Sequence, residues 1–297
     1  MTVNDATAVP HLRSLSREDG GFAMLALDQR ESLRRMFPPV HGAEVGDDTL
    51  REFKREALSV LAPLASAVLL DRPYAVTDAA PAELGDTALI LAADVLVQPP
   101  GEPVATTLLD ELVTADFIRQ VGAKAIKMLV IWREDDSAAR REDLVRSFLA
   151  VAEAAGVASL VEGIVRPVDD AEHWSDHATR HDAILAAAVE LSGYGGSIYK
   201  AEVPGYIPGD LSRVRTQSQT LTGLIAVPWV VLSNGVAQAE FPDAVREAVD
   251  GGASGFLAGR AIWADTVRAA DPGVALRERS ADRLRGLSLI VSEARAT

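Results

Sequence analysis

The sequence predicts a (β/α)8 barrel. Eight short apolar runs alternate with longer amphipathic stretches over 297 residues, near the size of about 250 usual for such barrels. The runs are rich in Val, Ile and Leu with few polar interruptions, as parallel strands covered on both faces require. No Gly-x-Gly-x-x-Gly turn follows the first run, which counts against the alternative, an open doubly wound sheet. No Gly/Ser tract divides the chain, so residues 1–297 are expected to form one barrel domain.

The expected strands are residues 21–28, 67–70, 88–92, 125–131, 159–164, 198–203, 229–232 and 255–258. Between them the apolar spacing turns helical. Leu50, Phe53, Ala57, Leu58 and Leu61 share one helical face, and Thr49 with Glu52 fits a capping box at its start. Leu144, Phe148, Val151 and Ala155 repeat the pattern, with Gly156 as the stop. Ile184, Leu185, Ala188 and Leu191 do so before Gly193. Phe241, Ala244, Val245 and Ala248 do so before Gly251, and Leu284, Leu287 and Val291 line the last helix. Residues 96–103, with three prolines and a glycine, read as a loop after the third strand.

Composition narrows the function. An apolar content of 48% with 24% charged residues excludes disordered, collagenous and coiled-coil chains. A net charge of −14 repels phosphate backbones, so no nucleic-acid partner is expected. An anionic small molecule stays compatible if basic residues meet in one pocket. Absence of Cys excludes disulfides, thiolate metal sites and Cys nucleophiles. The N-terminus lacks a basic segment followed by an apolar one, and no apolar run approaches the roughly 18 residues of a membrane span. A soluble, cytoplasmic protein with no membrane partner is expected.

Barrels place their chemistry at the C-terminal ends of the strands, and a charge buried there needs a partner or a task. Asp28 ends the first strand, Lys127 interrupts the fourth, Glu162 the fifth and Lys200 the sixth. Period-two alternation puts Asp28 with Ala26, Glu162 with Leu160 and Lys200 with Ile198. If those faces point inward, two lysines and two carboxylates meet in one barrel mouth. One outcome is a structural ion network, Lys127 with Glu162 and Lys200 with Asp28. The other is amine catalysis. A second ammonium and partial burial lower a lysine's pKa and free its lone pair. The iminium it forms with a ketone is an electron sink, and a carboxylate or second amine moves the proton. Such a set needs no metal and no cofactor.

The seventh and eighth strands run into Ser233-Asn234-Gly235 and Gly259-Arg260. Loops at these places bind phosphate in many barrels. The glycines allow close backbone approach and Arg260 supplies charge.

Residues 20–31 (Gly-Gly-Phe-Ala-Met-Leu-Ala-Leu-Asp-Gln-Arg-Glu), 124–127 (Lys-Ala-Ile-Lys), 198–204 (Ile-Tyr-Lys-Ala-Glu-Val-Pro) and 252–260 (Gly-Ala-Ser-Gly-Phe-Leu-Ala-Gly-Arg) resemble the class I aldolase family of tagatose-bisphosphate and sulfofructose-phosphate aldolases. The likeness spans residues 15–292. It implies a Schiff base on Lys200, with Lys127 and Glu162 as proton-transfer and positioning partners and Asp28 near the substrate hydroxyls. It implies that Gln29 and Arg30 contact substrate and that Ser233, Gly235, Gly259 and Arg260 hold the phosphate of a dihydroxyacetone-phosphate half. Arg30, Arg72 and Arg166 are candidates for the distal anion. Residues 130–136 (Val-Ile-Trp-Arg-Glu-Asp-Asp) and Val165-Arg166-Pro167 look like the sulfofructose-phosphate branch. That branch implies cleavage of 6-deoxy-6-sulfofructose 1-phosphate to dihydroxyacetone phosphate and 3-sulfolactaldehyde in sulfoquinovose breakdown. Tagatose 1,6-bisphosphate cleavage and a transaldolase are the alternatives within this chemistry. A catalytically silent sugar-phosphate sensor and a metal-dependent aldolase lie outside it. Association into a homo-oligomer is also implied. The sequence departs from the sulfofructose branch at Asn234, where a second Ser is usual, and from the family over residues 169–181.

Two further signals are set aside. His173, His177 and His181 would make a helical stripe able to hold a metal, but read as a solvated helix start. Trp132 and Trp263 either line a pocket or pack.

Overall fold

The computed structural model describes residues 10–39, 43–98, 104–168 and 174–296. Its strands in chain order are β1 (Phe22–Leu27), β2 (Ala67–Leu70), β3 (Ala88–Ala92), β4 (Asp94–Val97), β5 (Thr106–Leu109), β6 (Ala125–Trp132), β7 (Ala158–Val165), β8 (Ile198–Ala201), β9 (Trp229–Val231) and β10 (Gly255–Ala258). Eight of them are parallel and close a barrel in the order β1–β2–β3–β6–β7–β8–β9–β10, as the sequence predicts; β4 and β5 form a separate antiparallel hairpin. Strand ends differ from expectation by a few residues. β1 stops at Leu27, so Asp28 is the first residue beyond it, and β8 stops at Ala201.

Register decides which side chains turn inward. Phe22, Met24 and Ala26 of β1 meet Leu69 of β2, Ile90 and Ala92 of β3, Ala125 of β6, Leu160 of β7, Ile198 of β8, Val230 of β9 and Leu257 of β10 in one buried apolar cluster. Leu12 and Leu15, ahead of β1, join it. The lower half of the barrel is therefore packed, not a channel. Alternate residues such as Leu25, Val68, Leu91, Met128, Val161, Tyr199 and Phe256 face the surrounding helices in a second, larger cluster. Both faces of each strand are covered, which is why the strands read as near-continuous apolar runs.

Most helices follow the expected faces. Leu50, Phe53, Ala57, Leu58 and Leu61 are buried in helix Asp47–Leu61. Phe241, Ala244, Val245 and Ala248 are buried in Phe241–Asp250, and Leu284, Leu287 and Val291 in Ala281–Arg295. Gly156 ends helix Ala138–Ala155 at φ 72°, left-handed backbone that favours glycine. The buried face of that helix is Val145, Phe148 and Ala152, about one position off the expected Leu144–Val151–Ala155 line. Leu144 and Val151 are only half-buried beside it. The Thr49–Glu52 capping box does not form. The helix begins earlier, with Gly46 as N-cap and Asp47 and Asp48 in the first turn, where the helix dipole favours negative charge.

The stretch 96–103 is not simply a loop: its first residues, Leu96 and Val97, belong to β4 and pair with Thr107 and Thr106 of β5, while 99–103 lie outside the described residues. The histidine stripe also changes character. His173 lies outside the described residues and His177 is exposed. His181 is buried against the Tyr206 carbonyl rather than solvated. Among the described residues no group of three or more His, Asp or Glu could hold a metal.

The barrel seam between β1 and β10 offers a test. Gly255 lies opposite Phe22 with φ 141°, and a Cβ there would overlap the Phe22 carbonyl oxygen. Gly255→Ala is expected to destabilise the fold by about 3 kcal/mol or more, read as a lowered urea midpoint. An unchanged midpoint would mean that the seam tolerates a side chain.

Candidate functional site

Two residues beyond the inward apolar layer, the same strands turn to charge. Lys127 follows Ala125 and lies within β6, Glu162 follows Leu160 in β7, and Lys200 follows Ile198 in β8. Asp28 and Asp94 follow Ala26 and Ala92 by the same step. Lys127 Nζ lies 2.9 Å from Asp28 Oδ2, 3.1 Å from Asp94 Oδ2 and 2.9 Å from Glu162 Oε2. The other oxygen of Glu162 lies 3.1 Å from Lys200 Nζ. The structure thus brings the four sequence-predicted residues together, with one carboxylate bridging two buried lysines. The expected pairing of Lys200 with Asp28 is not formed; Asp28 pairs with Lys127.

Burial opposes the charge on Lys127, but the carboxylates of Asp28, Asp94 and Glu162 hold its pKa well above the usual lysine value. Burial alone would raise the Asp28 carboxyl, yet Lys127, Lys200 and Arg30 hold it well below the usual carboxylate range. Lys127 is therefore a fixed ammonium, and Asp28 a fixed carboxylate, near neutral pH.

A cavity of ≈ 850 Å³ opens above this cluster, lined by all four residues and by Gln29, Arg30, Arg166 and Arg260 among others. It also takes in Arg35 and Arg72. Counting Lys127 and Lys200, seven cations line it against the four carboxylates of Asp28, Glu31, Asp110 and Glu162. In a chain of net charge −14, this local excess focuses positive potential where an anion would enter. The arginines differ in what already holds them. Arg30 donates to the Asp94 carbonyl at 2.7 Å and to its Oδ1 at 3.0 Å, and Asp94, Asp71 and Asp28 raise its pKa against burial. Arg72 is paired with Asp110 at 2.9 Å. Arg166 makes a 3.4 Å contact with the Val165 carbonyl, and burial pulls its pKa below the usual arginine value. Among the described residues, buried polar atoms without a hydrogen-bond partner concentrate here: Gln29 Oε1, Arg30 Nε, Arg166 Nε and Glu162 Oε2, the last held only in its ion pair with Lys127. Such atoms cost free energy unless something else completes them.

Of the residues expected at the phosphate end, Arg260 lines the cavity, together with Asn234. Ser233, Gly235 and Gly259 flank them on the same two loops. Gly259 packs so closely on β1 that a Cβ would overlap the Ala26 carbonyl oxygen. Trp132 and Trp263 pack rather than line the cavity. The Trp132 indole donates to Glu190 at 2.8 Å and lies under Arg141, and the Trp263 indole donates to the Ala26 carbonyl at 3.0 Å.

Sequence reasoning missed Asp94, Arg35, Glu202 and the buried pair Lys54–Asp71, in which Lys54 also donates to the Leu27 carbonyl at 2.8 Å. Two signals could have found some of them. Asp94 continues the inward series Ala88, Ile90, Ala92, and the chain holds only four lysines among 29 basic residues. Three of those lysines, Lys54, Lys127 and Lys200, are buried.

A model of the DeoC/LacD family aldolases matches residues 22–265. Tagatose 1,6-diphosphate aldolase of Listeria monocytogenes serotype 4b is 30% identical over 277 residues, covering 86% of this chain and 81% of that protein. Tagatose 1,6-diphosphate aldolase 2 of Streptococcus pyogenes serotype M3 is 27% identical over 278 residues, covering 84% and 82%. Among solved structures, a Schiff base forming fructose-1,6-bisphosphate aldolase aligns over 95% of this chain and 98% of its own with TM-score 0.61 at 16% identity. The fructose-bisphosphate aldolase from Slackia heliotrinireducens aligns over 95% and 89% with TM-score 0.57, also at 16% identity. That likeness is one of fold. With a family model covering most of its length, the chain belongs to the DeoC/LacD family of aldolases.

Proposed function

We propose that this chain is a Schiff-base aldolase that cleaves a ketose 1,6-bisphosphate, tagatose 1,6-bisphosphate, into two three-carbon phosphates, without metal or cofactor. The observation that carries the mechanism is Glu162 shared between Lys127 at 2.9 Å and Lys200 at 3.1 Å. Amine attack needs an unprotonated lysine. Lys127, caged by three carboxylates and held well above the usual value, is unsuited to it. Lys200, with one carboxylate neighbour among its ion pairs, is left as the nucleophile. Its Nζ adds to the substrate ketone, and loss of water gives the iminium. Glu162 is placed to move the protons of these steps. Glu162 takes the proton of the C4 hydroxyl, the C3–C4 bond breaks so that the C4–C6 half leaves as a three-carbon aldehyde phosphate, and the electrons of that bond enter the iminium as an enamine. Protonation of the enamine and hydrolysis release dihydroxyacetone phosphate and free Lys200. Lys127 keeps Glu162 and Asp28 in place, and Asp28 faces the sugar hydroxyls.

The choice of a bisphosphate draws on the names of the relatives and on charge. A phosphate monoester carries nearly two negative charges near neutral pH, a sulfonate about one. The cation excess of the cavity favours the more highly charged ligand. Arg35 and Arg166, which form no ion pair with a carboxylate among the described residues, suit the distal phosphate, and the Asn234 and Arg260 loops the other.

Borohydride reduction in the presence of dihydroxyacetone phosphate is expected to leave a stable adduct on Lys200, located by peptide mapping. Lys200→Met is expected to abolish the adduct and to lower turnover by about 10⁴-fold or more, while chelation leaves wild-type activity intact. No adduct on folded, phosphate-binding protein would instead favour a silent sensor.

Tagatose 1,6-bisphosphate is expected to exceed 6-deoxy-6-sulfofructose 1-phosphate in kcat/KM by about tenfold or more, the scale of one charge-assisted hydrogen bond. Arg166→Ala should erase most of that margin. A preference for the sulfonate would restore the reading drawn from residues 130–136.

Asp28→Asn is expected to lower kcat/KM by about 10²-fold while both limbs of the pH profile remain, because Asp28 already stays ionised far below neutral pH and supplies neither limb. Loss of a limb in the variant would mean that Asp28 itself titrates during turnover.

A further inference from the structure

The loop after β9 places an asparagine between a buried carboxylate and an exposed guanidinium. Glu202, two residues beyond Lys200, is 3% exposed. Its carboxylate accepts from Val165 N–H at 2.9 Å, Arg180 Nη2 at 3.0 Å and Asn234 Nδ2 at 3.2 Å. The Oδ1 of the same asparagine accepts from Arg260 Nη2 at 2.8 Å. A carboxylate only accepts and a guanidinium only donates, so the amide fits one way round. Asn234 and Arg260 both line the cavity.

Charge explains why an amide suits this position. Arg180 already neutralises Glu202. Arg260 has no carboxylate partner among the described residues, in contrast to Arg30 and Arg72. Direct contact between Arg260 and a carboxylate would orient the guanidinium and cancel its charge together. A neutral carbonyl oxygen orients it and leaves the charge available. Aspartate at this position would cancel it, and would also face Glu202 at close range as a like charge. Serine, with one oxygen, is too short to span both contacts as they stand.

We infer that Asn234 is a positioning residue that fixes Arg260 at the cavity rim through a neutral acceptor, with Glu202 as its anchor, so that Arg260 keeps its full charge for a phosphate monoester. The nature of that anion rests on the proposed aldolase function; the relay itself is a matter of this chain's own contacts. Asn234 acts through Arg260, so its effect belongs to binding of the anion and not to the amine chemistry.

The test is the affinity for inorganic phosphate, by titration calorimetry, of the wild-type protein, Asn234→Asp, Arg260→Ala and the double variant. Asn234→Asp is expected to weaken phosphate binding about tenfold or more, as Arg260→Ala does. The double variant should lie within about twofold of Arg260→Ala, since two residues acting as one unit are not additive. With the sugar bisphosphate as substrate, the loss should appear in KM and not in kcat. Wild-type protein that binds no phosphate, Asn234→Asp within about twofold of wild type, or losses that multiply in the double variant would each overturn the inference. If Asn234→Asp melts out, Asn234→Ala replaces it in the same cycle, with a several-fold loss expected and no further loss on adding Arg260→Ala. Borohydride trapping of dihydroxyacetone, which carries no phosphate, reads the Schiff base separately. Failure of wild-type protein to trap it would sink the aldolase chemistry and leave the phosphate series standing.

Discussion

Lys127 is an ammonium sealed inside the barrel, and an ion removed from water is tolerated only with partners. Three carboxylates meet it, from the end of β1, the start of β4 and the middle of β7. Those carboxylates then need compensation of their own. Glu162 finds it in Lys200 and Asp94 in Arg30. Beside them Asp71 is matched by Lys54, which reaches in from helix Asp47–Leu61. Four carboxylates and four cations therefore balance on top of the apolar layer formed by Ala26, Leu69, Ala92, Ala125, Leu160 and Ile198. Removing one member leaves an uncompensated buried charge, a change that typically costs about 3–5 kcal/mol. The cluster ties six strands and one helix into a single electrostatic unit, so its geometry depends on barrel closure.

That balance divides the labour among the cavity's cations. Those inside it, Lys127 and Arg30, are committed to the protein's own carboxylates. Of those outside it, Arg72 is paired with Asp110, Arg166 feels the Glu202 carboxylate without an ion pair to it among the described residues, and Arg35 and Arg260 have no carboxylate partner among the described residues. An acidic chain can thus attract an anion, because the low-dielectric walls of a cleft focus the field of its own lining charges.

The barrel was legible in the sequence for a physical reason. Strands covered on both faces must be apolar throughout, so charges at Asp28, Lys127, Glu162 and Lys200 stand out against them. Period two then gives their direction. Partners were not legible, because who meets whom is set by register across the barrel: Glu162 lies opposite Lys200, while Asp28 reaches Lys127 across the interior. Asp94 was hidden because the run of β3 ends at Ala92 and the next residues belong to a hairpin that looks like a proline-rich loop. Lys54 was hidden because its helix shows an ordinary apolar stripe, and a buried lysine on a helix leaves no periodic mark. Thr49 and Glu52 matched a capping pattern, but the acidic pair Asp47 and Asp48 starts the helix sooner, and Asp47 is held there by Arg34 at 2.7 Å. Local motifs of this kind compete with neighbours that the motif does not contain.

The choice between the two basic residues carries the last step. A guanidinium stays protonated at any pH a protein meets, whereas an amine can be tuned by burial and neighbours. This chain has four lysines against 25 arginines, within its 29 basic residues. Anion binding asks only for permanent charge and geometry, so arginine serves at every cavity position outside the buried cluster. Imine formation asks for an amine that can lose its proton. Of the buried lysines, Lys54 is bound to Asp71 and the Leu27 carbonyl, and Lys127 is held charged by three carboxylates. Lys200 alone combines an amine, a place on the cavity wall and a single carboxylate among its ion pairs, one it shares with a fixed ammonium, which is the combination the proposed imine chemistry draws on.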